Sequence, residues 1–138
     1  MSRLTDDDLQ LLRRPLYGFL STAEGPLPPQ PRPVWFEVTE ANDIQVFSAP
    51  DAVRVRRLRR DPRVSFVVTA PVGERERWVS VTGTARVADD GARAVLERLA
   101  ARYWDLDDPT RAHDLAEMQR QQWVRIVIHP EAVHRVAM

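Results

Sequence analysis

Ser48–Val64 reads SAPDAVRVRRLRRDPRV and runs on from the strand-like IQVF of Ile44–Phe47. At helical spacing, Ala52, Val55 and Leu58 form a short apolar stripe. Arg54 and Arg57 border that stripe one turn apart, while Arg56 and Arg60 fall on the far side. Pro50 and Asp51 suit the first turn, since proline fits there and an aspartate can bind free amides. Asp61-Pro62 marks the end, because a residue before proline is driven out of the helical region. The stretch therefore predicts a strand, a helix N-terminus and two converging guanidinium groups. Unpaired amides and the helix dipole favour anions at such a place, and arginine adds paired donors. The combination suits a phosphate. The competing reading is a solvated basic face.

Around this stretch, 138 residues predict a single domain over 1–138, large enough to bury about two-thirds of its unfolded surface. Its 20 basic residues are all arginine and balance 20 acidic ones. That neutrality speaks against a general nucleic-acid or membrane-surface binder. The absence of cysteine excludes disulfides, thiolate catalysis and cysteine-ligated metals. Met1–Arg14 carries three consecutive aspartates and no long apolar run, so neither a signal peptide nor a membrane span is expected. A cytoplasmic protein is the expectation.

Thr5 reads as the cap of a short helix with acids in its first turn. Leu16–Thr22 predicts a first strand, and Ala23–Pro31 a stiff proline-rich loop. Arg32–Thr39 predicts a second strand, with Pro33 at an edge or a bulge. Glu40–Asp43 is a turn that closes a hairpin onto Ile44–Ser48. Val64–Thr69 and Arg75–Val87 predict two more strands, with Gly83 marking a bulge or a close backbone approach. Asp89–Trp104 switches to helical period, and Thr110–Gln121 resumes as a helix with Ala112, Leu115 and Met118 inward. Trp123–Ile128 and Ala132–Val136 read as short strands parted by His129-Pro130. Several short strands with few helices predict a mainly β fold, a small barrel whose connections carry the helices.

Side-chain catalysis has little support. Ser21, Ser48, Ser65 and Ser80 lack a GxSxG elbow. His113, His129 and His134 lack metal-ligand spacing, so no metal site is expected. Glu37 comes nearest to an apolar carboxylate but sits in an alternating strand, where it would face solvent. Neither a Walker loop nor GxGxxG is present. What remains is the arginine-bordered anion site and the tryptophans. Trp35 and Trp78 suit a planar ligand or a subunit interface. Trp104 reads as core packing and Trp123 as interface burial.

Four stretches taken together carry a family resemblance: RPVWF at Arg32–Phe36, Phe47-Ser48, the RVRRLRRDPRV of Arg54–Val64, and WVSVTGTA at Trp78–Ala85. In order and spacing they resemble the flavin/deazaflavin oxidoreductase family, part of the FMN-binding split-barrel superfamily that includes pyridoxamine 5′-phosphate oxidase. The closing VRIVIHPEAV resembles the family's last strand. The resemblance implies a six-stranded split β-barrel that is homodimeric, with the cofactor in a groove between protomers. It places Arg32, Val34 and Trp35 beside the cofactor ring, and Ser48, Arg54, Arg56 and Arg57 at its phosphate side. Trp78 would come from the partner subunit. Arg54 stands where many members have lysine, and Arg57 where they often have asparagine. The added charge at Arg57 favours a more anionic cofactor than FMN. Coenzyme F420, with its phosphate and oligoglutamate tail, is therefore the favoured cofactor, with FMN the alternative. The expected activity is hydride transfer between reduced F420 and a conjugated small-molecule acceptor; a non-catalytic flavin- or deazaflavin-binding protein is the other reading. The arginine-tryptophan-glutamate motif of true pyridoxamine phosphate oxidases is absent, which argues against a vitamin B6 oxidase.

Overall fold

A computed structural model describes residues 3–138. Its frame is one antiparallel sheet of seven strands: β1 (Gly18–Thr22), β2 (Arg32–Val34), β3 (Glu37–Val38), β4 (Ile44–Ser48), β5 (Arg63–Thr69), β6 (Arg77–Ala88) and β7 (Val124–Ala137). Four helices, α1 (Asp6–Leu12), α2 (Val53–Arg60), α3 (Ala92–Tyr103) and α4 (Pro109–Gln119), ride on the connections. The strand order is β2-β1-β5-β6-β7-β4-β3.

That order curls the sheet into a split barrel. β2 and β3 lie at opposite edges, yet only Trp35 and Phe36 separate them in the chain. Two residues span less than about 10 Å between flanking strand ends, so the edges must curl round to meet. Expected as one strand over 32–39, the segment is therefore two: β2 pairs with β1, and β3 with β4. The sheet has seven strands where the resemblance implies six. Phe36, at the change of partner, turns into the core and packs edge-on against Phe66 with ring centroids 5.1 Å apart. Alternation along β5 and β6 sends Val64, Phe66, Val68, Val79 and Val81 inward with it.

Gly83 fits the close approach expected of it. A Cβ there would lie 2.0 Å from the His129 carbonyl oxygen, and the β6–β7 register slips between Thr82 and Gly83. The same slip accommodates Pro130, so the last segment is the single strand β7 and not two short ones.

Two helices differ from the sequence expectation. α2 begins at Val53 after the N-cap Ala52 and has no side-chain cap, so Pro50 and Asp51 lie in the preceding turn. α4 buries no residue fully: Leu115 and Met118 are half-buried and Ala112 is exposed. Asp108 caps it by accepting from the Thr110 amide at 2.9 Å, so local chemistry rather than a packed face sets its start. Thr5 caps α1 in a reciprocal box with Asp8. Among the described residues, no helix is long and apolar enough to cross a membrane.

Candidate functional site

Where α2 leaves the end of β4, two cavities adjoin. The larger, about 440 Å³, is walled by Tyr17, Trp35, Phe47, Trp104 and Trp123, with Ser48 at its side. The smaller, about 300 Å³, is bounded by Thr22, Gln30, Arg32, Val53 and Arg57. Ala52 and Arg54 line both, which joins them into one groove, aromatic at one end and basic at the other.

The aromatic end is built by rings that fix one another. Trp35 stacks on Tyr103 with planes 4° apart and centroids at 5.1 Å. Trp104 meets Trp35 edge-on at 4.8 Å, and Trp123 meets Phe47 edge-on at 5.1 Å. Such offset and edge contacts are the favoured geometries of aromatic quadrupoles. Polar tips are satisfied as well. The Tyr103 hydroxyl donates to the Leu16 carbonyl and accepts from the Phe36 amide, and the Trp123 indole donates to the Met118 carbonyl at 2.7 Å. Burial raises the Tyr103 hydroxyl above its ordinary pKa. The trough is therefore rigid and presents ring faces and edges to a ligand.

At the basic end, α2 offers its first-turn amides uncapped. Arg54 is partly buried beside them. Burial pushes its guanidinium below the ordinary value, and the charge of Arg32 pushes the same way. Arg32 itself donates to the Gln30 side chain at 3.3 Å. Among the described residues no carboxylate lies between the two cations. Like charges held together without a counterion favour an anion between them.

Arg57 differs. It also faces this cavity, but its guanidinium is paired with the carboxylate of Glu24. The charge expected to favour a more anionic cofactor is thus already balanced within the chain. Nothing in the sequence points to Glu24, because the pair joins residues 33 apart across the proline-rich loop.

The structure thus brings Arg32, Val34, Trp35, Ser48, Arg54 and Arg57 to one groove, but it exchanges two expected places: Arg32 lines the basic cavity and not the ring end, and Ser48 lines the aromatic cavity and not the phosphate end. It does not bring Arg56 or Trp78. Arg56 is exposed and donates back to the Asp51 carbonyl at 2.7 Å. Trp78 is 38% exposed on the outer sheet face, where β6 sets it between Thr69 and Val136. Trp104, expected in the core, and Trp123, expected at an interface, are groove walls. Tyr17 and Tyr103 carried no sequence signal beyond strand or helix pattern, and Phe47 entered only through the Phe47-Ser48 stretch of the resemblance. The only signal available was the density of aromatics around RPVWF. Glu37, expected to face solvent, is held by Arg98 at 2.7 Å and Gln45 at 2.6 Å. Among the described residues no cluster of three potential metal ligands occurs.

Comparison with known proteins agrees with this geometry. The family described as Pyridoxamine 5′-phosphate oxidase matches residues 4–137. An F420 reductase of known structure is 25% identical, with a TM-score of 0.76 over 95% of this chain and 98% of its own. A conserved hypothetical protein of Mycobacterium tuberculosis superposes with a TM-score of 0.73 at 19% identity, over 99% of this chain and 86% of its own. An FAD-binding protein of Mesorhizobium loti gives 0.66 at 21% identity, over 96% and 94%. No curated protein matches the sequence.

Proposed function

Because the chain belongs to the pyridoxamine 5′-phosphate oxidase family, a fold of flavin and deazaflavin oxidoreductases, we propose that it uses coenzyme F420 to reduce a conjugated small-molecule acceptor. The observation that carries this reading is the groove itself, a rigid aromatic trough opening onto two arginines that have no carboxylate partner among the described residues. A planar ring bearing a phosphorylated side chain fits both ends at once. The likeness to an F420 reductase at 25% identity favours the deazaflavin, and FMN is the alternative for the same groove.

When bound, the reduced deazaflavin supplies a hydride, so the protein need not provide a nucleophile or a metal. Its own residues bind and orient. Arg54 and Arg32 would hold the phosphate by charge-assisted hydrogen bonds, and the uncapped first turn of α2 would add amide donors. Val34 and Trp35 would bound the ring, and the Trp35, Phe47 and Trp123 cluster would exclude water from it. Ser48 is buried, and its hydroxyl donates to the Ala49 carbonyl at 3.2 Å, which leaves its oxygen free to accept from the ligand. Trp78 reaches a groove only across a homodimer interface, as part of the partner's site.

Titration of the protein with F420 and with FMN separately, following ligand fluorescence, tests the reading. Saturable binding of F420, one per chain and tighter than FMN, is expected. Binding of FMN alone would replace F420 with its alternative, and binding of neither would overturn the cofactor reading.

A further inference from the structure

Glu24 follows the end of β1, where the chain leaves the sheet, and its side chain is 1% exposed. One carboxylate oxygen takes the Arg57 guanidinium, while Oε2 is buried and, among the described residues, has no partner. A carboxylate in this position is costly, since a single ion pair repays the loss of hydration at only one oxygen. A residue that merely tied the loop to α2 could do so with a neutral amide.

What the carboxylate changes is the charge seen from the groove. Three arginines line the basic cavity: Arg32, Arg54 and Arg57. Glu24 cancels the last, and among the described residues no carboxylate pairs with Arg32 or Arg54. Resting on the groove as a cofactor site, we infer that Glu24 is a specificity-determining residue. It limits the free charge of the phosphate site and so tunes it toward a singly charged phosphodiester over a doubly charged phosphomonoester.

The two ligand classes differ in this respect. A phosphomonoester such as that of FMN carries about −1.5 to −2 at pH 7, with a second pKa near 6. The phosphate of F420 is a diester and carries a single charge. With Arg57 free, the second charge of a monoester would gain a third cation. With Glu24 in place, that gain is offset by a carboxylate behind a poorly hydrated wall, where charges act over several ångströms. Glu24 need not touch the ligand; it acts through Arg57.

Affinities for FMN and F420 would be measured at pH 7.5 for the wild type, Glu24→Gln, and the double variant Glu24→Gln/Arg57→Asn. The Kd ratio of FMN to F420, compared between proteins, removes the contribution of the rings. Glu24→Gln should lower that ratio about tenfold, and the double variant, which restores the free charge, should return it to within about twofold of the wild type. At pH 5, where the monoester loses its second charge, the effect of Glu24→Gln should disappear. If Glu24→Gln does not fold, Arg57→Asn alone should raise the ratio, because it leaves the Glu24 charge unopposed. A purely structural Glu24 would weaken both ligands together and leave the ratio unmoved at either pH, which overturns the inference while the groove reading stands. A wild type that binds neither ligand overturns the groove reading and this inference with it.

Discussion

His129 bonds through Nδ1 to Asp43 Oδ1 at 2.9 Å, the geometry in which a carboxylate orients an imidazole for proton transfer. The strand register places it away from the groove. Ile128, its neighbour, pairs with Ile44, whereas Val124 pairs with Ser48 at the groove. Four residues of strand, about 13 Å, lie between. His113 and His134 are exposed on α4 and β7. Single alanine substitutions at the three histidines should therefore change turnover by less than about tenfold, below the 10²–10⁴ that a general acid supplies. Acceptor-reduction assays on cofactor-loaded protein check this; loss of turnover in any one of them would place a proton donor in the mechanism. At this scale the sequence was legible where a local period fixes direction. The spacing of Arg54 and Arg57 against Val55 and Leu58 gives the face of α2 that meets the groove, and it also turns Arg56 away. The Arg57–Glu24 and His129–Asp43 pairs were not legible, because the first joins a loop to α2 across 33 residues and the second depends on the β4–β7 register.

α1 is held to the far end of β7 by Asp8 and Arg135. The carboxylate, nearly buried, receives Arg135 Nε at 2.9 Å and NH2 at 2.8 Å, and the Thr5 amide at 2.8 Å. Burial opposes its ionisation, but the bonds from Arg135 and Thr5 outweigh that and hold its pKa below the ordinary 3.8. A depressed carboxylate contributes stability that is present in full above the unfolded value and lost as pH falls through the folded one. Denaturation midpoints should therefore decline below about pH 4, and Asp8→Asn should be less stable at pH 7 with a flatter decline in acid. An acid limb identical in the variant would mean that Asp8 does not carry this linkage. Elements were legible in type and order but less so in extent. The break at Trp35-Phe36 has no local signal: Arg32–Thr39 is good strand sequence throughout, and the demand to close the sheet divides it. Conversely, His129-Pro130 looks like an interruption, and the β7 register slip opposite Gly83 absorbs it.

On the outside of the sheet, Phe19, Trp78 and Val136 lie exposed on β1, β6 and β7, with Tyr17 just before β1. Trp78 pairs with Val136 across the β6–β7 register, and alternation turns Phe19 and Trp78 to the outer face of the sheet. Large apolar side chains exposed on one sheet face mark an interaction surface. We propose a second copy of the chain as its occupant, which would also bring Trp78 toward the partner's groove. Light scattering at low micromolar concentration should give twice the 15.8 kDa chain mass, with an interface of about 2,000 Å² or more. Trp78→Glu should shift the protein toward monomer; a monomeric wild type would contradict the assembly. The barrel was legible because RPVWF, the arginine helix and the long glycine-bearing strand occur in order. The aromatic trough was not, since its walls come from the approach to β1, the β2–β3 break, β4, the end of α3 and the approach to β7, which meet only in the folded chain.

The central claim is that α2 presents one face to a cofactor phosphate, and two arginines on that helix test it most directly. Arg54 lines the groove with no carboxylate partner among the described residues, whereas Arg56, two positions on, is exposed and points elsewhere. A charge-assisted hydrogen bond contributes roughly 1.5–3 kcal/mol. F420 affinity, measured by fluorescence titration, should fall about ten- to a hundredfold in Arg54→Ala and stay within about twofold in Arg56→Ala. Equal losses in the two variants would reduce the helix to a nonspecific basic face, and unchanged affinity in a folded Arg54→Ala would remove the phosphate from this groove.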